Sequence, residues 1–128
     1  LPSPTERLKI YKKIQNTKDN EKLNDIKNSL IDRCGTMPLE SLNLLNNRKI
    51  YNRIKDTGIE SIKSYEDRTN FILSNSLKKS ILDNLLKLIS EDSAQYLLTK
   101  DNKFIYKINE TDSNKRRNNV NLLLDEIL

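Results

Sequence analysis

The chain has 128 residues, 35% hydrophobic and 32% charged, with only two glycines and three prolines, a makeup that favours a helix-rich globular domain over disorder or a β-sandwich. Lys and Arg number 23 against 18 Asp and Glu, giving a formal charge of +5 that runs mixed with acids and asparagines along the whole sequence. The absence of histidine and the single cysteine, Cys34, exclude an internal disulfide, a structural zinc site built from these residue types and the commonest general base.

Ser3 or Thr5 caps a first helix that runs to about Asn16, with Leu8, Tyr11 and Ile14 expected on one inward stripe. The segment Thr17-Lys18-Asp19-Asn20 breaks the pattern, and Asp19 or Asn20 caps a second helix over about 20–34. There Leu23, Ile26, Leu30 and Cys34 recur at helical spacing and predict a buried seam, whereas Asp25, Ser29 and Asp32 fall on the side turned away from it. Gly35 ends that helix and Pro38 opens a third, expected to reach Asp56-Thr57 with Leu42, Leu45, Ile50 and Ile54 inward and Gly58 as its cap.

From Ile59 the period shortens, and Ile59, Ile62, Tyr65, Phe71 and Leu73 around Glu66-Asp67-Arg68 predict a first hairpin. Ser76 is the expected cap of a fourth helix with one row at Leu77, Ile81, Leu85 and Leu88 and another at Leu82, Leu86 and Ile89, a face wide enough to be buried on two sides. Tyr96–Thr99 and Lys103–Ile108 around Lys100-Asp101-Asn102 predict a second hairpin, with Phe104, Tyr106 and Ile108 alternating against Lys103, Ile105 and Lys107. A last helix spans about Asp112 to Leu128, with Val120, Leu123, Leu124 and Ile127 inward. The fold class is therefore α+β, in the order ααα-ββ-α-ββ-α, with helices packed on a small antiparallel sheet made of two hairpins whose strand order stays open.

Leu1-Pro2-Ser3-Pro4 reads as the end of a linker, so residues 5–128 are expected to form one domain belonging to a longer protein. No apolar stretch approaches the ~20 residues that cross a bilayer and no basic-then-apolar leader opens the chain, which points to a cytoplasmic protein with no membrane partner. Neither a Walker-type nor a dinucleotide-binding glycine motif occurs, and the adjacent carboxylates Glu66-Asp67, Glu91-Asp92 and Asp125-Glu126 fall at turns and helix ends where solvation and capping explain them. Elimination leaves a non-catalytic binding module without a cofactor. The densest basic cluster, Lys115-Arg116-Arg117, supports the alternative of a small nucleic-acid-binding domain, in which Tyr96, Phe104 and Tyr106 would be candidates for base stacking unless they form the sheet core.

Arg7-Leu8-x-x-Tyr11-Lys12-Lys13-Ile14 followed by Leu30-Ile31-Asp32-Arg33-x-Gly35-x-x-Pro38 resembles the C-terminal domain of the bacterial transcription-repair coupling factors, the Mfd proteins. That resemblance is strongest from Pro4 to Gly58. It implies a regulatory domain of an ATP-driven DNA translocase that displaces stalled RNA polymerase and recruits UvrA. ATP and Mg, and the contacts with DNA and polymerase, would belong to other domains of the parent. It further implies that the domain docks on the UvrB-like module of the same polypeptide and masks the UvrA-binding surface, an autoinhibitory contact. The matching interface positions are Asp32, which keeps the family's acid, and Ser29, where the family commonly has glutamate, with Asp25 as a substitute charge; the family's aromatic before the glycine is Cys34 here. Arg7 and Lys12 read as solvent-facing or as partners within the chain rather than as ligand contacts.

Overall fold

A computed structural model describes residues 3–128. In chain order it contains α1 (Pro4–Asn16), α2 (Asn20–Cys34), α3 (Leu39–Ile54), β1 (Ile59–Ser64), β2 (Thr69–Leu73), α4 (Lys79–Glu91), β3 (Tyr96–Leu98), β4 (Lys103–Tyr106) and α5 (Ser113–Ile127), the α+β sequence of elements that the hydrophobic periods predict. The chain divides into two compact units, one ending at Arg53 and one spanning Ile54–Leu128.

Three helices make the first unit. Ser3 caps α1 by accepting the amide of Glu6 at 3.2 Å, with Pro4 in the first turn where its missing N–H costs nothing. Asp19 caps α2 through the amide of Glu21 at 2.9 Å, and Gly35 closes it in the left-handed region at φ 77, its N–H returning to the carbonyl of Ile31 at 2.7 Å. Ile14, Leu23, Ile26, Leu30, Met37 and Leu45 form the core, with Ile10, Leu42 and Leu44 packed against it. Leu8 departs from its expected stripe and is 54% exposed. At 3.6 residues per turn it lies about 120° round the helix from Ile14, whereas Ile10, one turn before Ile14, shares the buried side. Cys34, the last residue of α2, is half-buried rather than buried.

The Thr17-Lys18-Asp19 turn between α1 and α2 and the start of α2 are held by α3. Asn52 donates to the carbonyl of Thr17 and to Asn20 Oδ1, both at 3.1 Å, Arg48 Nε donates to the same Thr17 carbonyl at 3.2 Å, and Lys49 Nζ donates to Asn24 Oδ1. Burial, then the neighbouring charge of Lys27, hold the Lys49 ammonium below its ordinary value.

In the second unit both hairpins join one antiparallel sheet in the order β1-β2-β4-β3. They meet through β2 and β4, where Phe71 faces Phe104 and Thr69 faces Tyr106. A register shift between Ile59 and Ser61 keeps Ile59 opposite Leu73 and Ile62 opposite Phe71. Thr69, Phe71 and Leu73 alternate inward as buried residues. Tyr96 stacks on Phe104 and Tyr106 with centroids 5.7 and 5.3 Å apart, and Phe71 meets Phe104 edge-on at 5.9 Å, so the three hairpin aromatics form a continuous packed face with Phe71.

Three further expectations require correction. α3 stops at Ile54, and Gly58 (φ 91) lies in the turn beyond it instead of capping it; the Thr57 hydroxyl donates to the Ile54 carbonyl and accepts from the Ile59 amide. Ser76 does not cap α4. The helix starts at Lys79 with no side-chain cap, because Ser76 bonds Ser74 while the amides of Ser74 and Lys78 are drawn to the carbonyls of Gly58 and Thr57. α4 also buries one row, Ile81 and Leu85, while Leu86 in the second row is 47% exposed. It packs on α5 and β3, with Asn84 Nδ2 donating to the carbonyl of Ile127 at 3.1 Å. Val120, Leu123, Leu124 and Ile127 are buried as the spacing of α5 predicts.

Candidate docking face

The seam of Leu23, Ile26 and Leu30, all buried, fixes the rotation of α2, so its opposite side must face outward. Asp25, Ser29 and Asp32 are indeed all exposed there. Glu21, one turn before Asp25, is exposed on the same side and lengthens the row, a residue the sequence reading missed although its i, i+4 spacing to Asp25 signals it. Within the described residues no hydrogen bond or ion pair takes up the carboxylate of Asp25 or Asp32. A face with three acids and one hydroxyl, anchored from beneath by aliphatic packing, is suited to meeting guanidinium or ammonium groups. Exposed pairs of that kind contribute about 0.2 to 1 kcal/mol each, so contact through this row would be weak and reversible.

The basic cluster at the start of α5 is organised differently. Asp112 caps the helix through the amides of Asn114 and Lys115. Arg116 folds back to donate to the carbonyls of Glu110 and Thr111 at 2.9 and 2.8 Å, and Arg117 donates to Asn114 Oδ1 at 3.1 Å. Lys115 is exposed. Arg116 therefore shapes the loop before α5, and Arg117 is engaged within the first turn of the helix. Tyr96 is committed to ring contacts with Phe104 and Tyr106, and burial is the main cause that raises both phenols above their ordinary value, with the carboxylate of Glu126 adding to it.

Both the acidic row and the motif pair lie within residues 1–83, which match the family model described as the TRCF domain. The chain belongs to the TRCF domain family. It is 29% identical over 100 residues to the transcription-repair-coupling factor of Rickettsia bellii and 28% identical over the same length to that of Rickettsia prowazekii. Each alignment covers 78% of this chain but 9% of the relative, so the chain spans only a small part of those proteins. The TRCF domain seen here also superposes on a solved structure titled as the C-terminal domain of transcription-repair coupling factor, with a TM-score of 0.78 over 99% of this chain and 84% of that one. At 14% identity that likeness concerns the fold, which is that of the C-terminal domain of a coupling factor. No described helix is long and apolar enough to cross a membrane.

Proposed function

We propose that this TRCF domain is the non-catalytic regulatory module of a cytoplasmic coupling factor, and that it docks through the outer row of α2 on the UvrB-like module of the same polypeptide. Docked, it covers the surface that UvrA would bind; released when the parent engages RNA polymerase on DNA, it uncovers that surface. One observation carries the reading: Asp25 and Asp32 stand exposed, with no partner among the described residues, on the side of α2 opposite its buried seam. Of these, Asp32 is a position the family resemblance assigns to the contact, and Asp25 is the substitute charge for the other, Ser29. Ser29 in place of the family's glutamate removes one charge, and Asp25 and Glu21 supply charge one and two turns earlier.

The alternative through Lys115, Arg116 and Arg117 has less support, since Arg116 and Arg117 are engaged close to their own helix start. In the full-length parent, Asp32→Arg is expected to raise UvrA affinity several-fold and to weaken binding of the isolated domain to the UvrB-like module. Unchanged affinity in both measurements would refute the docking role.

A further inference from the structure

The charge excess is not spread over the fold. The unit ending at Arg53 holds eleven Lys and Arg against six Asp and Glu, a net +5, whereas Ile54–Leu128 holds twelve of each and is neutral. Much of that excess sits on α1, where Arg7, Lys9, Lys12 and Lys13 oppose a single acid, Glu6, and all four cations are exposed.

Placed on a helix of 3.6 residues per turn, Thr5, Lys9, Lys12, Lys13 and Asn16 fall within an arc of about 100°, on the side away from Ile10 and Ile14. Arg7 lies outside that arc. No lysine of the arc makes an ion pair within the described residues, and Glu6, in the first turn at the edge of the arc, pairs with none of them. Lys9 stands three and four residues from Lys12 and Lys13, spacings at which like charges repel and destabilise the helix. The helix is nonetheless held firmly by the Ser3 cap and by Ile14, which is fully buried.

We propose that this face of α1 binds the phosphate backbone of duplex DNA. Three unpaired ammonium groups beside the hydrogen-bonding side chains of Thr5 and Asn16 satisfy the requirements of sequence-independent phosphate contact. A tightly bound protein partner would call for a desolvated aromatic or apolar centre, which a lone exposed Leu8 at the margin does not provide. A membrane surface would call for an apolar face free to insert, and here that face is committed to the core. The one aromatic of α1, Tyr11, is half-buried and donates its hydroxyl to Glu40, so base stacking by this helix is not part of the contact.

The test is fluorescence anisotropy of a labelled random-sequence duplex titrated with the 128-residue chain across a salt series. Replacing the three phosphate contacts in K9Q/K12Q/K13Q should bring the log–log salt slope closer to zero by about 2.7, or about 40-fold in affinity between 50 and 200 mM salt. K9R/K12R/K13R should bind like the parent chain, and K55Q/K79Q/K87Q, with the same loss of net charge from exposed lysines of the neutral unit, should keep the parent slope. Circular dichroism checks that each variant stays folded. An equal effect from K55Q/K79Q/K87Q, no duplex binding by the parent chain at 20 mM salt, or binding to phosphatidylserine vesicles in place of duplex would each overturn the proposal. The slope should also survive Asp32→Asn, so a failed docking interface and a failed DNA contact are told apart.

Discussion

Gly58 and Gly35 both hold positive φ, yet replacing them with alanine should have very different consequences. A Cβ at Gly35 meets nothing within 4 Å, so Gly35→Ala incurs only the left-handed backbone penalty, about 1 kcal/mol. A Cβ at Gly58 would stand 2.3 Å from Leu77 Cα, 2.6 Å from its nitrogen and 2.8 Å from the carbonyl oxygen of Ser76, all of them backbone atoms that no rotamer change can clear. The 74–78 segment would have to move, loosening the bonds from Ser74 N to Gly58 O at 2.8 Å and from Lys78 N to Thr57 O at 3.1 Å. Adding about 1 kcal/mol for each weakened bond to the backbone strain gives a loss of roughly 3 to 5 kcal/mol for Gly58→Ala. Urea unfolding followed by far-ultraviolet circular dichroism measures both costs, and amide exchange at Ser74 and Lys78 reads the local opening directly. A Gly58→Ala protein no less stable than Gly35→Ala, with both amides still protected, would refute the close approach of the two backbone segments.

Caps and titrating groups give two further tests. Asp112→Ala, which deprives the amides of Asn114 and Lys115 of their acceptor, should cost about 1 kcal/mol in urea unfolding, while Ser76→Ala, outside α4, should stay within about 0.5 kcal/mol. Tyr96 and Tyr106 ionise above the ordinary 10.0 in the fold, so the stability they contribute is complete below pH 10 and falls as pH rises through their folded values. Lys49, held below 10.5, acts in the opposite direction and favours the fold as pH climbs from its folded value through 10.5. Unfolding between pH 9 and 11 should therefore lose less stability in Tyr96→Phe/Tyr106→Phe than in the parent chain, and identical pH slopes would count against a role for the half-buried phenols.

Order and type of the nine elements, and the seams at Leu23-Ile26-Leu30 and Val120-Leu123-Leu124-Ile127, were legible in the sequence because period and caps are local properties of the chain. The outward placement of Asp25, Ser29 and Asp32 followed from the same rule, since a buried seam leaves one side of a helix free. Where a local rule met a distant partner, it failed. Ser76 carries the chemistry of a cap, but the carbonyls of Thr57 and Gly58 draw Lys78 and Ser74 into a turn and delay α4 to Lys79. Leu86 belongs to an apolar row, yet it stays 47% exposed. The strand order β1-β2-β4-β3 arises from Phe71 meeting Phe104, a contact between hairpins separated by a helix that no periodicity encodes. The confinement of the +5 charge to one unit became visible only with the boundary at Arg53, because charge balance belongs to a surface and the surface is defined by packing.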